Sequence, residues 1–261
     1  MLLLNDSAAT SRGRKPALTL FLAEPLRGIT SHAAFPLAAS IMLGARRGDG
    51  HGVLVLPGLL GDDLSTVLMR QILKRLGYDV HGWGLGRNVG PTHHVVEGMP
   101  RKLNEIADRT GGTVSVIGWS LGGIFARELA RRQPETVRDV ITLASPFAML
   151  DGDKSRADPA FQRYARRHVP ADPVARAQVR EPIDIPSTAI YSKTDGIVDW
   201  RACVETAGPD HENVAVHASH LGIGVNPAAL WVVADRLAQT EGNWQPFKPP
   251  SRFGALYPDP V

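Results

Sequence analysis

The stretch from Thr113 to Arg132 constrains the fold of this chain more than any other. It opens on an apolar run, Val114-Ser115-Val116-Ile117, and passes through Gly118-Trp119-Ser120-Leu121-Gly122. It continues without a linker into Leu121–Arg132, which has helical periodicity, with Pro134 just beyond its end. Apolar runs of this length bounded by glycine read as strands, and the following segment reads as a helix stopped before a proline. A strand that turns straight into a helix needs a tight, strained corner. Side chains two residues either side of Ser120 would collide with neighbouring backbone there, so glycine at 118 and 122 has a steric reason. Gly123 adds further room.

The same strand–helix rhythm runs through most of the chain. Gly52-Val53-Leu54-Val55-Leu56 is a continuous apolar run, as a strand buried on both faces requires. Pro57-Gly58-Leu59-Leu60-Gly61 turns the chain, Asp62 and Asp63 offer an N-cap, and a helix runs to about Leu76 before Gly77. A strand over Tyr78–Trp83 leads into the glycine-rich loop Gly82–Gly90 and a helix near 94–109. Later strands are predicted at Val137–Ala144, Thr188–Tyr191 and Val214–His217, with helices near Trp200–Thr206 and over Pro227–Ala238. Such alternation predicts an α/β fold: a mostly parallel sheet of about six strands with helices on both faces.

Three segments stand outside this rhythm. Residues 1–50 read as a tail followed by an apolar, helix-like stretch over 17–45, which Pro25 and Pro36 are expected to break into short helices. Residues 146–184 are polar and rich in Pro and Asp, with one helix-like piece near Phe161–Arg167. They are too long for an ordinary connection and are expected to form an inserted cap. Residues 241–261 form a Pro-rich tail, which leaves 51–240 as the core. The apolar 17–45 stretch must pack on something, because each large side chain left in water costs roughly 1.5 kcal/mol or more. It is expected on the outside of the core, or, with the cap, as the wall of an apolar pocket that would include Phe35 and Met149, or else against a membrane surface or a partner.

Composition excludes several classes. The net charge is only +3, and the basic groups at Arg12, Arg14, Lys15 and at Arg163, Arg166, Arg167 read as solvated surface, so no nucleic-acid partner is expected. Cys203 is the one cysteine, which rules out an intramolecular disulfide and a cysteine metal cluster. The start of the chain lacks the pattern of a signal peptide, and no run reaches the roughly 18 apolar residues of a membrane span. A cytoplasmic location is expected, with peripheral membrane contact left open.

A bare G-x-S-x-G arises by chance in roughly one chain in ten of this composition, so its setting decides. Here strand, turn and helix make Ser120 a candidate nucleophile. A serine hydroxyl needs an adjacent base. His220 follows a strand and precedes the loop Leu221-Gly222-Ile223-Gly224, so it is the best placed of the histidines. His217, within or at the end of that strand, reads as structural. The acid that orients such a base should follow the preceding strand. Asp195 lies in the turn after it, beside Gly196, whereas Asp199 is placed to cap the next helix. Backbone donors for a developing oxyanion are expected at Leu59 and Leu121, since Pro57 has no N–H to give. Gly82, Gly84 and Gly86 alternate without opening a helix at once, so they do not make a dinucleotide loop and are expected only to shape the pocket rim.

Over residues 50–240 the chain resembles the α/β-hydrolase superfamily. The PGLLG loop, the GWSLGG turn, the YSKTDGIVDW acid turn and the SHLGIGVNP segment look like those of bacterial lipase and esterase-type serine hydrolases. Many bacterial lipases carry His-Gly where this chain has Pro57-Gly58. The resemblance implies a Ser120–Asp195–His220 triad, oxyanion amides at Leu59 and Leu121, and hydrolysis of a small-molecule or lipid-like carboxylic ester through an acyl-enzyme, with no cofactor and no metal. Acyl transfer or thioester cleavage by the same triad, and non-catalytic ligand binding on the same fold, are the alternatives.

Overall fold

A computed structural model describes residues 15–149, 153–170 and 181–259, with only the backbone of Arg252. The expected tail over 1–14 and the parts of the 146–184 segment at 150–152 and 171–180 lie outside the described residues. Six parallel strands form one sheet: β1 (Gly52–Leu56), β2 (Asp79–Gly82), β3 (Val114–Trp119), β4 (Val137–Leu143), β5 (Ser187–Tyr191) and β6 (His211–Ala215). Their spatial order is β2-β1-β3-β4-β5-β6.

Successive side chains of a strand point to opposite faces, and both faces of this sheet are buried. Val53, Val55, Ile117, Ile141 and Leu143 pack against α2 (Phe35–Met42), α3 (Val67–Leu76) and the last long helix, α7 (Pro227–Leu237). Leu54, Leu56, Val114, Val116 and Val140 pack against α4 (His93–Thr110) and α5 (Leu121–Arg132). This two-faced burial is why β1 carries no polar residue. Gly77 ends α3 in the left-handed conformation at φ 103°, where glycine bears no Cβ penalty.

The N-terminal stretch departs from its expected form. Helix α1 (Leu18–Ala33) runs straight through Pro25, while Pro36 sits in the first turn of α2, where its missing N–H does no harm. An interior proline costs a helix about 3 kcal/mol, so α1 must be held by its contacts with the rest of the fold. Two further expectations shift. The predicted helix near Trp200–Thr206 is a single 3-10 turn over Trp200–Cys203, capped by Asp199. Strand β6 ends at Ala215, so His217 lies beyond it and is exposed, its carbonyl accepting from Asn226 Nδ2.

In the 146–184 segment, α6 (Asp158–Arg163) and a 3-10 turn over Ala165–Arg167 lean on the loop after β2, and Arg163, Arg166 and Arg167 are exposed. His168 Nε2 bonds the Val89 carbonyl at 2.7 Å, and the Val169 N–H bonds the Pro91 carbonyl at 2.8 Å. Arg156 reaches the carbonyl of Pro16 and lies over the ring of Phe21 on α1. The C-terminal stretch returns to the core, with Phe247 and Tyr257 packed against the α7 face.

One buried ion pair ties α5 to the β5–β6 side. Arg127 donates to Glu205 at 2.8 Å and to the Glu181 carbonyl at 2.9 Å, and lies over the Phe147 ring. Both charged side chains are buried. Removing one partner of such a pair strands the other charge, which costs about 3–5 kcal/mol. Arg127→Ala is expected to lower unfolding stability in urea by that amount. Arg127→Met/Glu205→Leu should recover most of the loss, because apolar replacement of both partners leaves no unpaired charge. A loss below about 1 kcal/mol for Arg127→Ala would mean that the pair is idle.

Candidate active site

The strand order reverses between β1 and β3. These neighbours pair up to Leu56↔Gly118, with β2 on one side and all later strands on the other. Ligands of open parallel sheets bind in the crevice outside the carboxyl ends of strands at such a switch point. The loop after β1 and the turn after β3 both open there.

Ser120 occupies that turn at φ 53°, ψ −121°, a strained left-handed conformation for a residue with a side chain. Its N–H is held by the Leu143 carbonyl at 2.8 Å. The glycines leave the space the corner needs: a Cβ at Gly118 would meet the Gly122 carbonyl oxygen at 2.3 Å, and one at Gly122 would meet the Leu56 carbonyl oxygen at 2.4 Å.

The turn brings Ser120 Oγ to 3.0 Å from His220 Nε2, and His220 Nδ1 lies 2.7 Å from Asp195 Oδ2. Asp195 Oδ1 accepts the N–H groups of Ile197 at 2.7 Å and Val198 at 2.9 Å, which fixes the carboxylate in its turn. Asp199 stands apart and accepts from the Arg201 N–H. All three of Ser120, His220 and Asp195 are buried. Burial pushes the His220 imidazole toward lower pKa, but the charge and hydrogen bond of Asp195, with the charge of Glu24 behind them, more than reverse this and leave it above its ordinary value.

The loop after β1 packs directly on this serine. A Cβ at Gly58 would lie 3.2 Å from that of Ser120. The Leu60 N–H donates to the Asn88 carbonyl at 2.7 Å and the Gly61 N–H to the Gly58 carbonyl at 3.0 Å. The N–H groups of Leu59 and Leu121 donate to no acceptor among the described residues. Leu60 itself is held at φ 63°. Asn88 braces this strained loop: its N–H donates to the Gly61 carbonyl and its Nδ2 to the Pro57 carbonyl at 2.8 Å. The glycine-rich loop therefore contributes a support for the β1 loop that its glycines did not signal.

A small hollow lies next to Trp119 and Leu221, the chain neighbours of Ser120 and His220, although neither Ser120 nor His220 lines it. Val55, Met69, Ile117, Trp119, Leu221 and Val225 give it an apolar lining, and His32, Ser65 and Thr66 contribute polar atoms. Neither Phe35 nor Met149 lines it. Phe35 packs on the core, and Met149 faces a separate hollow with Val198 and Ala202.

A second Ser–His–Asp string exists at the other end of the sheet. His51 contacts Asp49 through Nδ1 and lies 2.9 Å from Ser115 Oγ through Nε2. Ser115 is fully buried near the start of β3 and its hydroxyl donates its hydrogen bond to Asp139 Oδ2 at 2.7 Å rather than to His51, so no base is poised to activate it and no substrate can reach it. Cys203 is buried, and burial pushes its thiol pKa well up, which keeps it protonated and inert. Among the described residues no group of three or more His, Cys, Asp or Glu could hold a metal ion, and no helix is long and apolar enough to cross a membrane.

A parallel sheet with a strained serine corner over its switch point, and a histidine and carboxylate in line with it, defines a protein of the α/β-hydrolase class. Comparison with known proteins agrees. A family profile for the alpha/beta hydrolase fold matches residues 53–182. The chain belongs to the α/β-hydrolase superfamily. A pimeloyl-[acyl-carrier protein] methyl ester esterase of Sodalis glossinidius is 35% identical over 114 residues, covering 41% of this chain and 42% of that protein. The match thus spans under half the length of this relative. Among solved structures, Aspergillus fumigatus lipase B aligns at a TM-score of 0.58 and 17% identity, over 74% of this chain and 53% of the other. Paleococcus ferrophilus monoacylglycerol lipase aligns at 0.51 and 16% identity, over 74% and 96%. At these identities the structural likeness speaks for the fold.

Proposed function

We propose that the chain is a serine hydrolase that cleaves carboxylic esters through an acyl-enzyme. The observation that carries this reading is the unbroken hydrogen-bonded series Ser120–His220–Asp195 on a strained corner. In the first half-reaction His220 Nε2 takes the proton of Ser120 Oγ as Oγ bonds to the acyl carbon. The carbonyl electron pair moves to oxygen, which the amides of Leu59 and Leu121 stabilise. Asp195 keeps the imidazole in the right tautomer and stabilises its cation. Collapse expels the alkoxide, which leaves with the proton from His220. Water then repeats the sequence at the acyl carbon and restores the serine.

The apolar hollow beside Trp119 favours an apolar acyl chain, because its lining offers mostly dispersion contacts. The relative's name, a methyl ester esterase, supports an ester as the bond cleaved. Residues 146–184 act in this reading as a cap on the 51–240 core, and their ties to α1 and to the loop after β2 support that role. Location in the cytoplasm and work on a soluble or lipid-like ester belong to the same proposal.

The test is a screen of p-nitrophenyl esters from acetyl to palmitoyl, run beside labelling with a fluorophosphonate. Hydrolysis of at least one ester, with labelling that Ser120→Ala abolishes, is the expected result. Labelling without hydrolysis, and with an acyl product only when an alcohol or thiol is added, would point to acyl transfer instead. No labelling of the folded chain would overturn the enzymatic reading in favour of ligand binding.

A further inference from the structure

Helix α1 is inverted relative to an ordinary surface helix. Its outward side carries Leu22, Leu26 and Ile29 at 68%, 67% and 66% exposure, while the carboxylate of Glu24 points inward at 1%. Surface helices normally do the reverse. A carboxylate so buried persists only where hydrogen bonds and counter-charge compensate it.

The compensation comes from the two loops that carry Asp195 and His220. Glu24 Oε1 accepts the N–H of Gly196 at 2.9 Å and the N–H of His220 at 3.0 Å, and Oε2 accepts the N–H of Leu221 at 3.1 Å. Arg27, with its Nη1 3.6 Å from Glu24 Oε1, takes the acceptors of the same loops. It donates to the Thr194 carbonyl at 2.8 Å, to Thr194 Oγ1 at 3.1 Å and to the Ala218 carbonyl at 3.0 Å. Strands β5 and β6 stop pairing at Tyr191↔Ala215, and beyond them the two loops join each other through Val216 N–H on the Tyr191 carbonyl and Ser192 Oγ on Ala218, short of Asp195 and His220, which α1 reaches. Fit to α1 is close on both sides: a Cβ at Gly196 would meet the Leu20 carbonyl oxygen at 2.5 Å, and one at Gly28 would meet Leu221 Cβ at 2.9 Å.

We propose that Glu24 is a positioning residue of the hydrolytic reaction: its carboxylate, gripped by Arg27, sets Asp195 and His220 in register, and its charge supports the imidazolium formed when Ser120 loses its proton. This rests on the Ser120–His220–Asp195 reading. Among the described residues, the charged groups facing the imidazole are Asp195 from the acid turn and Glu24, with Arg27 behind it, from α1. The sign of the charge effect follows. His220 must be neutral to act as base, so activity falls as pH drops through its pKa. Removing the negative charge at 24 lowers that pKa and moves the acid limb to lower pH.

The test compares Glu24→Gln and Glu24→Asp with wild type in the full chain. It uses whichever p-nitrophenyl ester the wild type turns over, from acid to alkaline pH, with thermal unfolding followed alongside. The rate of fluorophosphonate labelling, which needs the same base but no particular ester, is a second readout. Glu24→Gln should lower kcat and labelling rate roughly 10- to 100-fold, since small misplacements of catalytic groups cost up to about 100-fold. KM should move much less than kcat, because Leu221, whose N–H Glu24 also holds, is the one lining residue of the hollow that the change reaches directly, and the acid limb should shift downward. Glu24→Asp, which keeps the charge but shortens the reach, should lose kcat while its acid limb stays at the wild-type pH. Folded variants with wild-type kcat and labelling overturn the proposal. So does unfolding of both variants at the assay temperature, which would make Glu24 a folding group only. Ser120→Ala run in parallel separates the two readings. If it stays active the triad reading fails, whereas a dead Ser120→Ala beside normal Glu24 variants defeats the positioning role alone.

Discussion

Ser120→Ala is expected to abolish turnover while leaving the fold intact. Loss of the nucleophile of a triad removes on the order of 10⁵- to 10⁶-fold in kcat, because no other group can form the acyl-enzyme. Among the described residues the alternatives are closed. Ser115 is buried with its hydroxyl donating to Asp139 rather than to a base, and Cys203 is buried with its thiol protonated. The fold should tolerate the change. The serine hydroxyl has one side-chain partner, His220 Nε2, and the corner itself is held by the backbone bond to Leu143. The thermal midpoint should therefore move little, and the variant should still bind a slowly hydrolysed ester. Measured kcat for the best p-nitrophenyl ester decides the matter. A variant that kept even a tenth of wild-type turnover would remove Ser120 from the mechanism.

The elements around this serine were legible because their signals are local. An apolar run, a G-x-S-x-G corner and a helix follow one another within Val114–Arg132, and each is set by near neighbours. Asp195 beside Gly196 and His220 before a glycine-rich loop stand out for the same reason: each sits just past a buried strand, at the same edge of the sheet. What the sequence hid is long-range. Pro25 predicts a break by local rules, yet α1 continues, because Glu24 and Arg27 on either side of it are tied to loops 167 to 197 residues away along the chain. No spacing within α1 announces those partners. Asn88 was hidden likewise, since its bond to the Pro57 carbonyl depends on β1 and β2 lying side by side. The segment Trp200–Thr206 follows a strand where a helix is expected, but only a 3-10 turn forms over Trp200–Cys203, because Glu205 just beyond it is drawn into the pair with Arg127. Tertiary contacts overrode propensity in both directions.

Asp195→Asn is expected to cost about 10⁴ in kcat, and Asp199→Asn very little. The asymmetry follows from geometry. Asp195 Oδ2 is 2.7 Å from His220 Nδ1, so the carboxylate keeps the proton on that nitrogen and leaves Nε2 free to accept from Ser120. An amide in its place can turn its NH₂ toward Nδ1, which favours the opposite tautomer and puts a hydrogen where the base lone pair must be. It also removes the negative charge that counters the imidazolium. Two further bonds, from the N–H groups of Ile197 and Val198, fix Oδ1 and so determine which atom faces the histidine. An Asn that keeps its carbonyl on those two donors presents its NH₂ to His220, the damaging orientation. Asp199, by contrast, bonds the Arg201 N–H and side chain at the edge of the site, where its loss frays one 3-10 turn. Steady-state kinetics on the two variants, with KM near wild type in both, would test this. If Asp199→Asn proved the more damaging, the carboxylate that serves His220 during turnover would be the one that now caps the turn.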